Sequence, residues 1–158
     1  MKRKITAFIL LFSLAASLLS CSEKRSARAL MREFSIAYGI DSPIYSPDVR
    51  EGEEGYINSG FFSELYGEGE EWVSDFAVVL LSDLEAASEC GVFICYTDYD
   101  ARQVSEMLRR RIELVRSVAA ISGLSLPDGD FVYREGIVVV MAILPRTDTA
   151  RKLWGEIL

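Results

Sequence analysis

Five apolar blocks separated by polar, glycine-rich or proline-bearing stretches set the plan of this chain. The first runs from Ile5 to Leu19 behind Met1-Lys2-Arg3-Lys4, and only Thr6, Ser13 and Ser17 interrupt it. As a helix it would cover roughly 22 Å, short of a hydrocarbon core of about 30 Å. A basic start, an apolar middle and the small Ser20 predict a secretory signal rather than a retained span. Polar residues Ser22 to Arg28 predict a tether.

From Ala27 to Tyr38, Leu30, Met31, Phe34, Ala37 and Tyr38 recur at helical spacing, with Gly39 as a stop. Residues 41–71 hold Pro43, Pro47 and glycines at 52, 55, 60, 67 and 69, and predict an acidic, loop-rich part. Within it, Ser59 to Tyr66 predicts a short helix or turn pinned by Phe61, Phe62, Leu65 and Tyr66. Phe76 to Leu81 is apolar on both parities and predicts a strand buried on both faces. Ser82 with Glu85 three later resembles a capping box, so 83–88 predicts a turn of helix. Gly91 to Thr97 predicts a second strand.

Asp100-Ala101-Arg102-Gln103 predicts the start of the longest helix. Its apolar stripe is Val104, Leu108, Ile112, Val115 and Ala119, with Met107 and Val118 beside it. The other face carries Arg102, Glu106, Arg109, Arg110, Glu113 and Arg116, predicting ion pairs from Glu106 to Arg110 and from Arg109 to Glu113. The helix should end near Ser122-Gly123. Phe131 to Arg134 and Ile137 to Leu144 predict a hairpin closed at Glu135-Gly136, and Thr147 to Leu158 a final amphipathic helix.

These elements predict an α+β fold with an antiparallel four-stranded sheet, two strand pairs around a long amphipathic helix, and a C-terminal helix. Residues 1–20 are read as signal, 21–28 as anchor and tether, and 29–158 as one domain. Strands apolar on both faces need cover on both. Either the remaining helices supply it, or an apolar patch is left for a partner.

Cys21 changes the picture at the start of the chain. Leu18-Leu19-Ser20-Cys21 resembles the lipobox of bacterial lipoprotein signals, in which the thiol carries the diacylglyceryl group. The expectation is lipidation at Cys21 and residence on the extracytoplasmic face of the cell membrane. Two or more acyl chains anchor stably where one binds only marginally. Removal of Lys2, Arg3 and Lys4 with the signal leaves 14 basic and 24 acidic side chains, a charge of −10. Nucleic acid and anionic lipid would both repel such a body, so the anchor must hold it at the membrane.

The chain has no histidine. That excludes Ser-His-Asp and Cys-His catalysis, histidine-bearing zinc sites and a histidine pH switch. Cys90 and Cys95, if on one strand, stand about 16 Å apart with side chains on opposite faces and cannot bridge. They are read as buried apolar groups, a usage that suits an organism living with little oxygen.

Other candidate chemistry is sparse. Glu85 and Glu89 on one helical face would make a carboxylate pair for acid–base work. Arg102, Arg109 and Arg116 form a stripe that could meet phosphate, but Glu106 and Glu113 between them favour a solvated, ion-paired face. Tyr96, Asp98 and Tyr99 are assigned core and capping roles ahead of ligand contact. The acids Glu51, Glu53, Glu54, Glu68, Glu70 and Glu71 lack the alternating ligands of a calcium loop. No cofactor or metal is expected.

The lipobox, the acidic linker, Asp75-Phe76-Ala77-Val78-Val79, Glu89-Cys90-Gly91-Val92-Phe93-Ile94 and the charged amphipathic helix together resemble a family. It comprises small lipoproteins of Gram-positive, largely anaerobic (clostridial-type) bacteria carrying a domain of unknown function. The resemblance covers roughly residues 60–145, and Cys90 and Gly91 depart from it. It implies anchoring and an α+β fold, and carries over no functional residue. The expected function is a non-enzymatic protein-binding module of the cell envelope. The alternatives are a small-ligand-binding accessory lipoprotein, favoured by a pocket between the sheet and the 41–71 loop, and a carboxylate-based hydrolase.

Overall fold

Apolar residues at both odd and even strand positions demand helices on both sides of a sheet, and this chain supplies them. The computed structural model describes residues 25–58, 60–83 and 86–158, without the side chains of 82, 83, 86 and 87. Among these, α1 (Ala27–Tyr38), α2 (Phe61–Tyr66) and a 3-10 turn (Glu70–Trp72) precede β1 (Val73–Asp83) and β2 (Ala86–Cys95). Then come α3 (Asp98–Ser122), β3 (Asp130–Glu135), β4 (Val138–Ile143) and α4 (Thr147–Ile157). The strands form one antiparallel sheet in the order β1-β2-β4-β3. Because β4 runs against both β2 and β3, those two are parallel, and α3 crosses from the end of one to the start of the other.

On one face, Ala77, Val79, Cys90, Val92, Val140 and Ala142 form a core with α1 and α4. Phe34 of α1 stacks on Trp154 of α4 with ring centroids 4.5 Å apart. On the other face, Phe76, Val78, Phe93, Val139, Met141 and Ile143 meet Val104, Met107, Leu108 and Ile112 of α3. Phe62 and Tyr66 of α2 complete that layer, with Phe62 edge-on to Phe76 at 5.1 Å. The 41–71 segment guards the outer edge of β1 through paired backbone hydrogen bonds between Tyr45 and Val78, 2.8 and 2.9 Å long.

The expected α+β architecture and its long and C-terminal helices are present. The helical turn expected at 83–88 is not. Ser82 pairs with Ala87 and Asp83 with Ala86, so the two strands run on to form a hairpin. A one-turn helix must bear its own nucleation cost, whereas each further strand pair extends a ladder already formed. The tether expected to reach Arg28 gives way at Ala27, because the Ser26 hydroxyl accepts from the Ala29 N–H and starts α1 there. The long helix likewise begins before Asp100, since Thr97 accepts from the Asp100 N–H, 3.1 Å away. Its end falls where expected, with Gly123 at φ 68, a left-handed conformation that favours glycine. Residues 1–20, read above as signal, and Cys21 lie outside the described residues, as does Glu85.

Candidate functional site

Glu89 is the one acid buried in the sheet among the described residues. Its register partners are Leu80 on β1 and Ile143 on β4, so an ionised carboxylate there sits between two aliphatic neighbours. Such a charge is tolerated only when paired and hydrogen-bonded. Arg111, near the middle of α3, donates from Nε (3.1 Å) and Nη2 (2.9 Å) to Glu89 Oε2. The Tyr66 hydroxyl, at the end of α2, donates to Glu89 Oε1 over 2.8 Å. The Arg111 guanidinium also lies 5.9 Å from the centroid of the Tyr66 ring. Burial, reinforced by the Glu89 charge, pushes the Tyr66 phenol well above its ordinary pKa, so Tyr66 stays a donor. Gly91 lies two residues along on the same face, where a Cβ would stand only 2.8 Å from the Phe93 ring. The missing side chain is what lets Phe93 pack against Tyr66.

Three elements therefore meet at one ionic cluster, and beside it a groove opens. Leu80, Leu81, Leu114, Val115, Val118, Ala119 and Leu124 line it, with Glu89 and Arg111 at its polar end. Its volume is about 370 Å³. Leu114, Val118, Ile121 and Leu124 are 55, 51, 87 and 44% exposed, an apolar stripe at the end of α3 that no described residue covers. The arrangement can hold an apolar group against the aliphatic wall. The N–H groups of Arg111 not spent on Glu89 are left for an acceptor at the polar end.

The other candidates fall elsewhere. Glu89 stands on β2 rather than on the helical face that the candidate pair with Glu85 requires; Glu85 itself lies outside the described residues. The Arg102, Arg109 and Arg116 stripe is ion-paired, but with different partners from those expected. Arg102 binds Asp98 at 2.7 Å, Arg109 binds Glu106, and Arg116 reaches across to Asp130 on β3. The helix thus spends its charges on Asp98 in its first turn, on Glu106 in its middle and on β3, with Glu113 in none of these pairs. Asp98 takes both Arg102 and Arg134, whose hydrogen bonds hold its carboxyl below the usual range. Tyr96 and Tyr99 are exposed, against the core role expected of them: the capping turn at Thr97 swings both outward.

Cys90 and Cys95 are free and buried on opposite faces of β2, as their spacing requires. Burial raises both thiols, Cys95 to about 12. The acids at 51–54 and 68–71 are exposed, and among the described residues no group of three cysteines or acids is placed to hold a metal ion. Between the sheet and the 41–71 loop there is a smaller cavity, about 220 Å³, lined by Pro47, Ile57, Phe62 and Phe76. The larger space lies at the opposite end of the β1–β2 hairpin.

The cluster has a sequence signal. Glu89 interrupts an apolar strand, and Arg111 stands three residues after Leu108 and four before Val115, both stripe positions. Leu114, outside the expected stripe, lines the groove, and Ile121 stands exposed beyond it. Comparison of the chain with protein-family models, curated proteins and solved structures found no match.

Proposed function

We propose that this chain is a lipoprotein held by acyl groups on Cys21 at the extracytoplasmic face of the cell membrane. Its folded part is a non-enzymatic protein-binding module of the cell envelope, in keeping with the resemblance to small lipoproteins of Gram-positive bacteria. One observation carries the binding reading: the end of α3 presents Leu114, Val118 and Ile121 to solvent beside an apolar groove. Exposed contiguous apolar surface of this kind marks interaction sites. Both carboxylate oxygens of Glu89 are engaged, Oε1 by Tyr66 and Oε2 by Arg111, which weighs against a carboxylate-based hydrolase. A body of charge −10 also disfavours nucleic acid.

The test is photo-crosslinking in intact cells from a probe at Val118, beside a control probe at Lys152. A protein adduct confined to Val118 is the expected result, and equal labelling from both positions would sink the reading. Substituting Cys21 with Ser should release the chain to the medium or leave it unprocessed. Persistence of mature Cys21→Ser protein in membranes would refute the anchor.

A second reading, a small-ligand-binding accessory lipoprotein, is favoured by the groove's volume, which falls in the range of about 300–1,000 Å³ seen for ligand pockets. A compound that raises the melting temperature of the wild-type domain but not of Val118→Asp would promote this reading above the first.

A further inference from the structure

The exposed stripe on α3 has both halves of a complementary contact. Ile121 projects as a knob, 87% exposed, while Leu80, Leu114, Val118 and Leu124 border a hollow one turn away. Leu114, Val118 and Ile121 are spaced four and three residues apart, the spacing of a helix–helix seam. One surface carrying knob and hollow together fits a two-fold interface, in which the same patch serves both partners.

Charge singles out the same face. From Leu114 to Pro127 the sequence contains no Asp or Glu, although the whole chain holds 24. Elsewhere two copies of so acidic a body repel. Here they meet without opposing acids.

We propose that the groove is occupied by the end of α3 from a second copy of this chain, the two helices lying antiparallel with Val118 on the two-fold axis. The proposal rests on the protein-binding reading and names its partner. In this pairing Ile121 of each copy comes level with Val115 of the other and enters the gap between Leu114 and Val118. Within the helix, which ends at Ser122, Arg116 comes level with Ala120 and Leu114 with Ser122, so no like charges oppose. The incoming helix lies over Leu80 of β1, which lines the groove. A patch of this size gives weak association in solution. Anchoring both copies in one membrane raises their effective concentration and populates the pair.

The experiment uses the full chain with Val118→Cys, expressed to membranes and treated with a mild oxidant. Lys152→Cys, on the exposed face of α4, is the control, and the wild type reports any disulfide through Cys21. Cys90 and Cys95 are buried and do not compete. Val118→Cys should give at least about tenfold more disulfide-linked dimer than Lys152→Cys, because a residue on the axis meets its own copy within bridging distance. Adding Ile121→Asp should cut that yield about fivefold or more while leaving the melting temperature unchanged, since Ile121 packs on little in its own copy. Equal dimer yields from Val118→Cys and Lys152→Cys would overturn the proposal. A Val118→Cys adduct with a different protein, in place of the dimer, would overturn it and leave the protein-binding reading standing. Recovery of the chain from the soluble fraction would refute the anchor alone; the same two variants, purified and oxidised at about 1 mM, would then decide the pairing, equal yields overturning it.

Discussion

The two halves of α3 share one amphipathic pattern and meet two different fates. In the first half Ala101, Val104, Met107 and Leu108 are buried against the sheet and flanked by α2 and the 3-10 turn. In the second half Ile112 and Ala119 still face the sheet, but Leu114, Val118 and Ile121 turn to solvent. The difference is one of length. At 25 residues α3 runs roughly 37 Å, whereas the six residues of α2 cover roughly 9 Å. Cover along that side ends near Tyr66, between three and four turns into α3, and the Glu89–Arg111 pair sits at the boundary. A helix whose apolar arc is wider than its cover leaves a site where the cover stops. In this molecule that place also holds its most costly ionic group.

The boundary itself should show the largest effect. Glu89→Ala strands the Arg111 charge, whose side chain is only 19% exposed, and should cost about 3–5 kcal/mol in urea denaturation. The double change Glu89→Leu with Arg111→Met should recover most of that loss, because two apolar groups replace a desolvated pair. A single-mutant loss below about 1 kcal/mol would mean that Glu89 is not held as described.

Next come truncations in each half. Leu108→Ala should cost about 2–5 kcal/mol, for the side chain is fully buried and leaves a cavity. Val118→Ala should change stability by no more than about 0.5–1 kcal/mol. Equal losses would erase the distinction between covered and uncovered halves. Thr97→Ala, which removes the cap of the first half, should cost about 1 kcal/mol, seen as a small shift in the urea midpoint.

The smallest effect concerns pH. Cys95 lies beneath the covered half, and burial, with Asp100 adding to it, holds its thiol at about 12 against an ordinary 9.0. A folded-state value above the unfolded one means a contribution fully present below pH 9 and lost as the pH rises from there toward 12. Stability should therefore be flat with respect to this group up to pH 9, then fall by less than about 1 kcal/mol per pH unit. In the native protein at pH 8, iodoacetamide should leave Cys95 unmodified while labelling an introduced Val118→Cys freely. Rapid labelling of Cys95 would show that the first half opens too.

Much of the architecture was legible from pattern. The helix at 27–38 begins and ends where Leu30, Met31, Phe34 and Gly39 place it, and the stripe of α3 through Ile112 is the one its spacing predicts. The hairpin of β3 and β4 follows from apolar runs on either side of Glu135-Gly136. Errors arose where a local signal competed with a distant partner. Ser82 and Glu85 read as a capping box, but β2 was available to pair. The expected pairs Glu106–Arg110 and Arg109–Glu113 give way to Arg109–Glu106, while Arg116 finds Asp130 on β3. Glu89 has its companions 22 and 23 residues away in sequence, beyond the reach of any local pattern.

The sequence alone determined the secondary-structure order, the two-sided burial of the strands, the isolation of Cys90 from Cys95 and the exclusion of histidine chemistry. Each of these depends on residue type and short-range periodicity, which a chain carries in its local order. The strand order β1-β2-β4-β3, the meeting of Tyr66, Glu89 and Arg111, and the exposure of Leu114, Val118 and Ile121 were decided by tertiary structure. An apolar residue on a helix is written the same way whether or not a neighbour reaches it. Only the packed lengths of α2 and α3 settle which of them stay bare.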